Sequence, residues 1–277
     1  MFGSLVVVFP TPHEGGEFVL RHDNKECVID FSKTISEAGQ QPCVGYVAFF
    51  SDVEHEVLRV RFGHRVTLTY NLYFSNKSHG PTPSISTPAV HETFLTESLY
   101  ALMCDPTVLP DGGYLGFGLR HEYPVEEGMH VTDLRPCLKG ADAMLGRILS
   151  ALGVVWDIRV YYAKTAISGC YLSKCFISLP KNRAFDDEWI FCLMIDDEQG
   201  GPEFVEKANL TGQRENKYDE GEGRPLAEVT KMDSMTRFES TFLAYGNEPS
   251  IEWLYGHVCI IVDLPKLTER AVRQPTF

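Results

Sequence analysis

Residues Ser51 to Tyr73 read SDVEHEVLRVRFGHRVTLTYNLY, and the fold turns on how they are used. His55 stands between Glu54 and Glu56. Further on, Arg65 enters a β-branched and aromatic run with the composition of a strand. Two readings are open here. The stretch is either the edge of a barrel that binds a metal and an acid, or an ordinary strand pair in which Arg65 meets Glu54 or Glu56 across a hairpin. The second would be a surface bridge of little energetic weight. One histidine does not build a metal site, so the choice rests on the rest of the chain.

Upstream, residues 4–9, 17–22, 26–31 and 44–50 are further short β-branched or aromatic segments; with 55–61 and 65–74 they are punctuated by PTPHEGG, HDNK and RFGH. Strands at that spacing predict an antiparallel sandwich or barrel. The opening MFGSLVVVFP reads as the first strand rather than a signal peptide. It has no basic leader, and proline, histidine and Gly-Gly follow at once.

Downstream, SNKSHGPTPSISTPAV at 75–90 is rich in Ser, Pro and Thr and reads as a linker or long surface loop. Beyond it LKGADAMLGRILSALG sets Ala141, Met144, Leu145, Ile148, Leu149 and Leu152 three and four apart, an apolar helical stripe that ends at Gly153. Its packing partners are the predicted strands GYLGFGLRHEY, VVWDIRVYYAKT, EWIFCLMIDD, TRFESTFLAYG and EWLYGHVCIIVDL, while the charged 211–231 reads as an exposed loop. The fold class is therefore mainly β with α (α+β). Residues 1–74 form one domain, 75–90 a linker and 91–277 a C-terminal α+β domain. GGEFV at 15–19 is echoed by GGPEFV at 200–205, and FGHRVTLTYNLY by YGHVCIIVDLP, which raises a duplicated, degenerate second barrel as one alternative.

Composition narrows the function. The chain has 277 residues and a net charge of −13, with no local cluster of Lys and Arg. Such a surface repels phosphate backbones and argues against nucleic acid as a partner. No apolar run approaches the roughly 20 residues of a membrane helix, so no membrane partner is expected. Eight cysteines are scattered without a CxxC pair, mostly in apolar strand-like contexts. Buried reduced thiols in a cytoplasmic or nuclear protein are the expectation.

LVVVFPTPHEGGEFVLRH, YVAFFSDVEHEVLRV and FGHRVTLTYNLYF together cover nearly all of residues 1–74. On these segments the first half resembles the iron(II)- and 2-oxoglutarate-dependent dioxygenases of the prolyl 4-hydroxylase type, and more closely a fungal group of such proteins. The resemblance implies a double-stranded β-helix (jelly roll), incomplete here. It implies iron(II) and 2-oxoglutarate, with ascorbate as an accessory. The activity implied is oxidative decarboxylation of 2-oxoglutarate coupled to hydroxylation of a C–H bond, on a protein or peptidyl-proline substrate.

Residue by residue, the resemblance makes His55 the last metal ligand. Arg65 becomes the partner of the distal carboxylate of 2-oxoglutarate, a pairing that a guanidinium fork suits better than an ammonium. Thr67 lies two residues on, on the same face of an extended strand, where its hydroxyl can reach that carboxylate. The Gly15-Gly16 turn allows a sharp bend that a bulky side chain would obstruct. His13 and His64, beside turns, and His121, on an apparent strand, read as turn or core residues.

The departure from the family is in the other ligands. Its first histidine and carboxylate form a His-x-Asp or His-x-Glu pair on a strand just upstream of the segment matching MFGSLVVVFP, whereas this sequence starts at Met1 and contains no such pair. Ferrous sites of this kind use two histidines and a carboxylate on one face. With His55 alone, little turnover is expected, and a noncatalytic double-barrel protein-binding module is the alternative. Should turnover occur, His13, His22 and Asp52 are the substitute ligands to test.

Overall fold

The computed structural model describes residues 1–22, 24–37, 43–73, 90–126, 128–163, 169–177, 184–185, 202–214, 223–234, 236–244 and 250–275. The chain is mixed α/β and mostly strand, and divides into two compact units, Met1–Pro83 and Ser84–Phe277. Of the expected linker, all but Val90 lies outside the described residues, as does the expected strand EWIFCLMIDD.

Unit 1 contains β1 (Gly3–Val8), β2 (His13–Gly15), β3 (Phe18–His22), β4 (Lys25–Ile29), α1 (Phe31–Glu37), β5 (Gly45–Phe50), β6 (Glu54–Val57), β7 (Val60–Gly63) and β8 (Thr67–Leu72). Two three-stranded sheets, β5-β1-β8 and β4-β3-β6, and the small pair β2-β7 are all antiparallel. The opening residues thus form a strand, as the sequence predicts, and it is paired on both sides. The expected strand 55–61 is split into β6 and β7. Val6 and Val8 from one sheet and Phe18 from the other bury together with Phe31 and Val47, so the sheets face each other across a common core.

Register fixes what looks inward. Residues directly opposite share a face. Val8 lies opposite Thr67, and Val6 opposite Thr69 and Val47, which puts Thr67 and Thr69 on the inner face. Val7, Tyr46 and Leu68 look outward, and so do Leu5 and Tyr70. The short α1 was not anticipated. Asp30 starts it, its carboxylate accepting from Ser32 Oγ at 2.6 Å and from the Lys33 N–H at 3.1 Å. Phe31 and Ile35, one turn apart, then reach the core.

Unit 2 contains α2 (Val90–Cys104), β9 (Gly113–Gly118), a 3-10 helix at Val131–Cys137, α3 (Gly140–Ala151), β10 (Val155–Ala163), β11 (Gly169–Ser173), β12 (Ala184–Phe185), β13 (Glu203–Ala208), β14 (Arg224–Glu228), β15 (Arg237–Ala244) and β16 (Ser250–Leu264). The order β10-β11-β13-β14-β9-β16 closes on itself, because β16 also pairs with β10, and gives a six-stranded barrel. One side of its strands buries Tyr114, Tyr161, Cys170, Leu172, Leu226 and Ile261. Alternate residues, among them Leu115, Ile158, Ile260 and Val262, pack with Met103 of α2 and Ile148 and Leu149 of α3.

Three expectations need correction. Residues 224–228, assigned to an exposed loop, form β14 at the centre of the barrel wall, with Leu226 and Ala227 fully buried. Pro225 and the charged residues before it hid the strand. The helix stripe is real, and Gly153 at φ +72° ends α3 as a left-handed terminator. Its first member is misplaced, however: Ala141 is exposed and Asp142 is buried, accepting from the Arg120 and His121 N–H groups and from Tyr123 Oη at 2.9 to 3.0 Å. His121 follows β9 rather than sitting on it.

The echoed strings do not occupy matching places. β3 pairs antiparallel on both sides, whereas β13 is antiparallel to β11 and parallel to β14. Among the seven described cysteines, all free, Cys170 and Cys259 are buried as expected, while Cys27 and Cys104 are exposed. No helix among the described residues is long and apolar enough to cross a membrane.

Candidate functional site

β3 and β6 settle which way the Glu54-His55-Glu56 string points. His55 lies opposite Leu20, and Phe18 opposite Val57, on the inner face. Glu54 and Glu56 take the outer face and meet Arg21 there, at 3.8 and 2.8 Å. The surface bridges therefore belong to Arg21, and Arg65 is not spent on them. The His55 ring stacks on Phe18 with centroids 6.1 Å apart, and lies 4.5 Å from the ring of Phe49 on the facing sheet. Its Nδ1 donates to the Val53 carbonyl at 3.2 Å, which leaves Nε2 as the acceptor or ligand nitrogen.

Arg65 reaches the same aromatic ring, its guanidinium carbon 5.9 Å from the Phe18 centroid. Its Nε and Nη2 are both buried without a hydrogen-bond partner. These two nitrogens form the side-on fork of a guanidinium, the pair that grips a carboxylate. A buried unpaired donor costs about 1–3 kcal/mol. Burial accordingly depresses the Arg65 pKa below its ordinary value. Gly16, at φ +74°, makes the space: a Cβ there would come within 3.0 Å of Arg65 Cδ and 2.9 Å of Val60. Thr67 is half-buried on the inner face beside Val8. The geometry thus brings His55 and Arg65 to one phenylalanine and sets Thr67 on their face.

Sequence reasoning placed His13 among turn or core residues and named it only as a substitute metal ligand to test. It is 9% exposed, with Nδ1 donating to the Thr11 carbonyl at 2.7 Å and Nε2 buried without a partner. The only signal was its place two residues before the Gly15-Gly16 turn. His22 and Asp52 have ligand atoms within 4.8 Å of each other, and His55 does not stand that close to both. The described residues of unit 1 therefore do not present the two histidines and carboxylate of a ferrous site around His55. They do present an unpaired carboxylate-gripping fork.

Unit 2 holds a separate cavity of about 230 Å³ at one end of its barrel, with Leu172 and Ile261 at its apolar side. Most of its charges are matched, while among the described residues the exposed Arg135 has only an aromatic ring. Arg224 grips Asp263 at 2.7 and 3.4 Å and donates to Tyr114 Oη at 2.8 Å, and Tyr114 donates to Glu203 at 2.7 Å. Arg159 meets Asp157 at 3.5 Å, and Arg135 stacks over Trp156 at 3.8 Å. Burial, reinforced by the Glu203 hydrogen bond, pushes the Tyr114 pKa up to about 12. Residues so far apart in sequence gave no joint signal.

No protein-family model, no curated protein and no solved structure matches this chain, so the functional reading rests on these residues.

Proposed function

We propose that unit 1 is an iron(II)/2-oxoglutarate dioxygenase-like jelly roll of the prolyl-hydroxylase type, which keeps the co-substrate clamp and has little or no turnover with the ligands described. Its strand order supports the jelly roll. From β1 onward the chain passes between the two facing sheets at each long connection, with β1 central in one and β3 central in the other. The observation that carries the functional reading is the buried, unpaired Nε/Nη2 fork of Arg65 beside the Phe18 ring that also stacks on His55. In this reading Arg65 holds the distal carboxylate of 2-oxoglutarate, Thr67 adds a hydroxyl, and His55 Nε2 faces the keto-acid end.

Iron, when held by such a fold, supplies oxygen activation, and one imidazole does not hold it. The test is iron-dependent release of carbon dioxide from 1-labelled 2-oxoglutarate. The purified chain should stay near the protein-free rate. Robust release would overturn the ligand assignment, with His22 and Asp52 the first residues to replace.

A noncatalytic protein-binding role is the second reading. It is favoured by the outer face of β5-β1-β8, where Tyr46, Leu68 and Tyr70 are 72%, 47% and 50% exposed. A protein or peptidyl-proline ligand fits either reading, and only the first requires Arg65 for it.

A further inference from the structure

We infer that His13 is a second anion-binding residue of the Arg65 site, and that the two close on a single carboxylate next to Gly16. The inference rests on the reading of Arg65 as a carboxylate clamp. It gives an anion-binding role to a residue that the sequence offered only as a turn residue or substitute metal ligand.

Among the described residues, four buried side-chain polar atoms lack a hydrogen-bond partner, and three of them belong to His13 and Arg65. Buried polar groups are rarely left unpaired, and an orphan that persists calls for a ligand or a function. These orphans are neighbours. A Cβ at Gly16 would lie 3.0 Å from Arg65 Cδ and 3.8 Å from His13 Cδ2, the carbon bonded to the orphan Nε2. One glycine thus separates an unpaired guanidinium fork from an unpaired imidazole nitrogen.

The chemistry of the occupant follows from the donors. A guanidinium donates only, so its partner is an acceptor, and two parallel N–H groups select a planar pair of oxygens. His13 Nδ1 is committed as donor to Thr11, so Nε2 donates only when the ring carries a second proton. A carboxylate gripped by both the fork and Nε2 therefore favours the doubly protonated ring. Other charged groups around β2 do not replace it: Arg61 on the paired strand is directed to Glu17 at 3.6 Å, and Glu14 on β2 itself is exposed opposite Phe62. Neither the fork nor Nε2 is open to water.

The test is calorimetric titration of the metal-free chain, in chelator, with glutarate, a five-carbon dicarboxylate lacking the keto group. Two buffers of different ionisation enthalpy report proton uptake. The wild-type chain should bind glutarate and 2-oxoglutarate with uptake of about one proton per site. His13→Ala should weaken binding about tenfold and abolish the uptake. His13→Gln, which retains an amide donor, should recover most of the affinity with no uptake. Unchanged melting of both variants separates a binding loss from misfolding.

If Arg65→Ala abolishes binding while both His13 variants bind as the wild type does, His13 has no part in the site and only the clamp reading survives. If the wild-type chain binds neither acid, that reading fails and takes this inference with it. Inorganic phosphate bound in place of both acids would overturn the choice of a carboxylate.

Discussion

The mouth of the unit 2 barrel and the inner face of unit 1 both gather arginines beside aromatic rings; at the mouth the one left unpaired among the described residues, Arg135 over Trp156, is exposed, whereas on the inner face the unpaired nitrogens are buried. At the barrel mouth, Arg224 is held by Asp263 and Tyr114, and Arg159 by Asp157. On the inner face, Arg65 has the face of Phe18 and no acceptor. The closed barrel also uses both edges of β16, whereas β6 and β8 each pair on one side only among the described residues. A region that satisfies its own charges is built to be stable. One that leaves a buried fork open keeps donors that nothing in the described chain satisfies.

The largest expected effects come from the two cores. Phe18→Ala should cost unit 1 about 3–5 kcal/mol, and Ile260→Ala should cost the barrel about 2–5 kcal/mol. Thermal melting followed by separate tryptophan and far-ultraviolet signals should show each change lowering a different transition. A single transition lowered equally by both would mean that the units do not unfold as separate bodies.

Next in size is the ion network of the barrel. Arg224→Met leaves Asp263 without its bidentate partner and should cost about 1–3 kcal/mol in urea melts. A cost near zero would place that network with ordinary surface bridges and erase the contrast with Arg65.

Tyr114 gives the pH dependence. Its pKa is raised from 10 to about 12 in the folded chain, so its contribution to stability is complete below about pH 10 and is lost as pH rises through 12. Tyr114→Phe should remove that part of the alkaline stability loss and the phenolate absorbance that titrates with it. An unchanged alkaline profile would contradict the network as described.

The smallest effect belongs to Arg21, whose bridges to Glu26, Glu54 and Glu56 are on the outer face and well exposed. Arg21→Ala should change stability by no more than about 1 kcal/mol and leave dicarboxylate binding alone. Lost binding in that variant would put the functional arginine on the wrong side of the sheet.

How much of this was legible in the sequence follows from which signals are local. β1, β5 and β8 announced themselves through β-branched runs, and α3 through its stripe and terminal Gly153. α1 carried only Phe31 and Ile35 behind the Asp30 cap, too short a pattern to stand out from strands. β14 was hidden because its stability comes from parallel neighbours on both sides, β13 and β9, and five residues containing Arg224, Pro225 and Glu228 do not advertise a buried strand. In the site, the inward facing of His55 was readable from strand alternation. His13 was not, because its interest lies in an unpaired atom, and pairing is a property of three-dimensional packing rather than spacing.

The reading of unit 1 stands on Arg65 gripping an acid through two parallel N–H groups, and Arg65→Lys isolates that feature by keeping the charge while removing the fork. Titration of metal-free wild-type and Arg65→Lys chains with 2-oxoglutarate should give saturable binding by the wild type and at least tenfold weaker binding by the variant. Equal affinity in the two chains, or no saturable binding by the wild type, would contradict it.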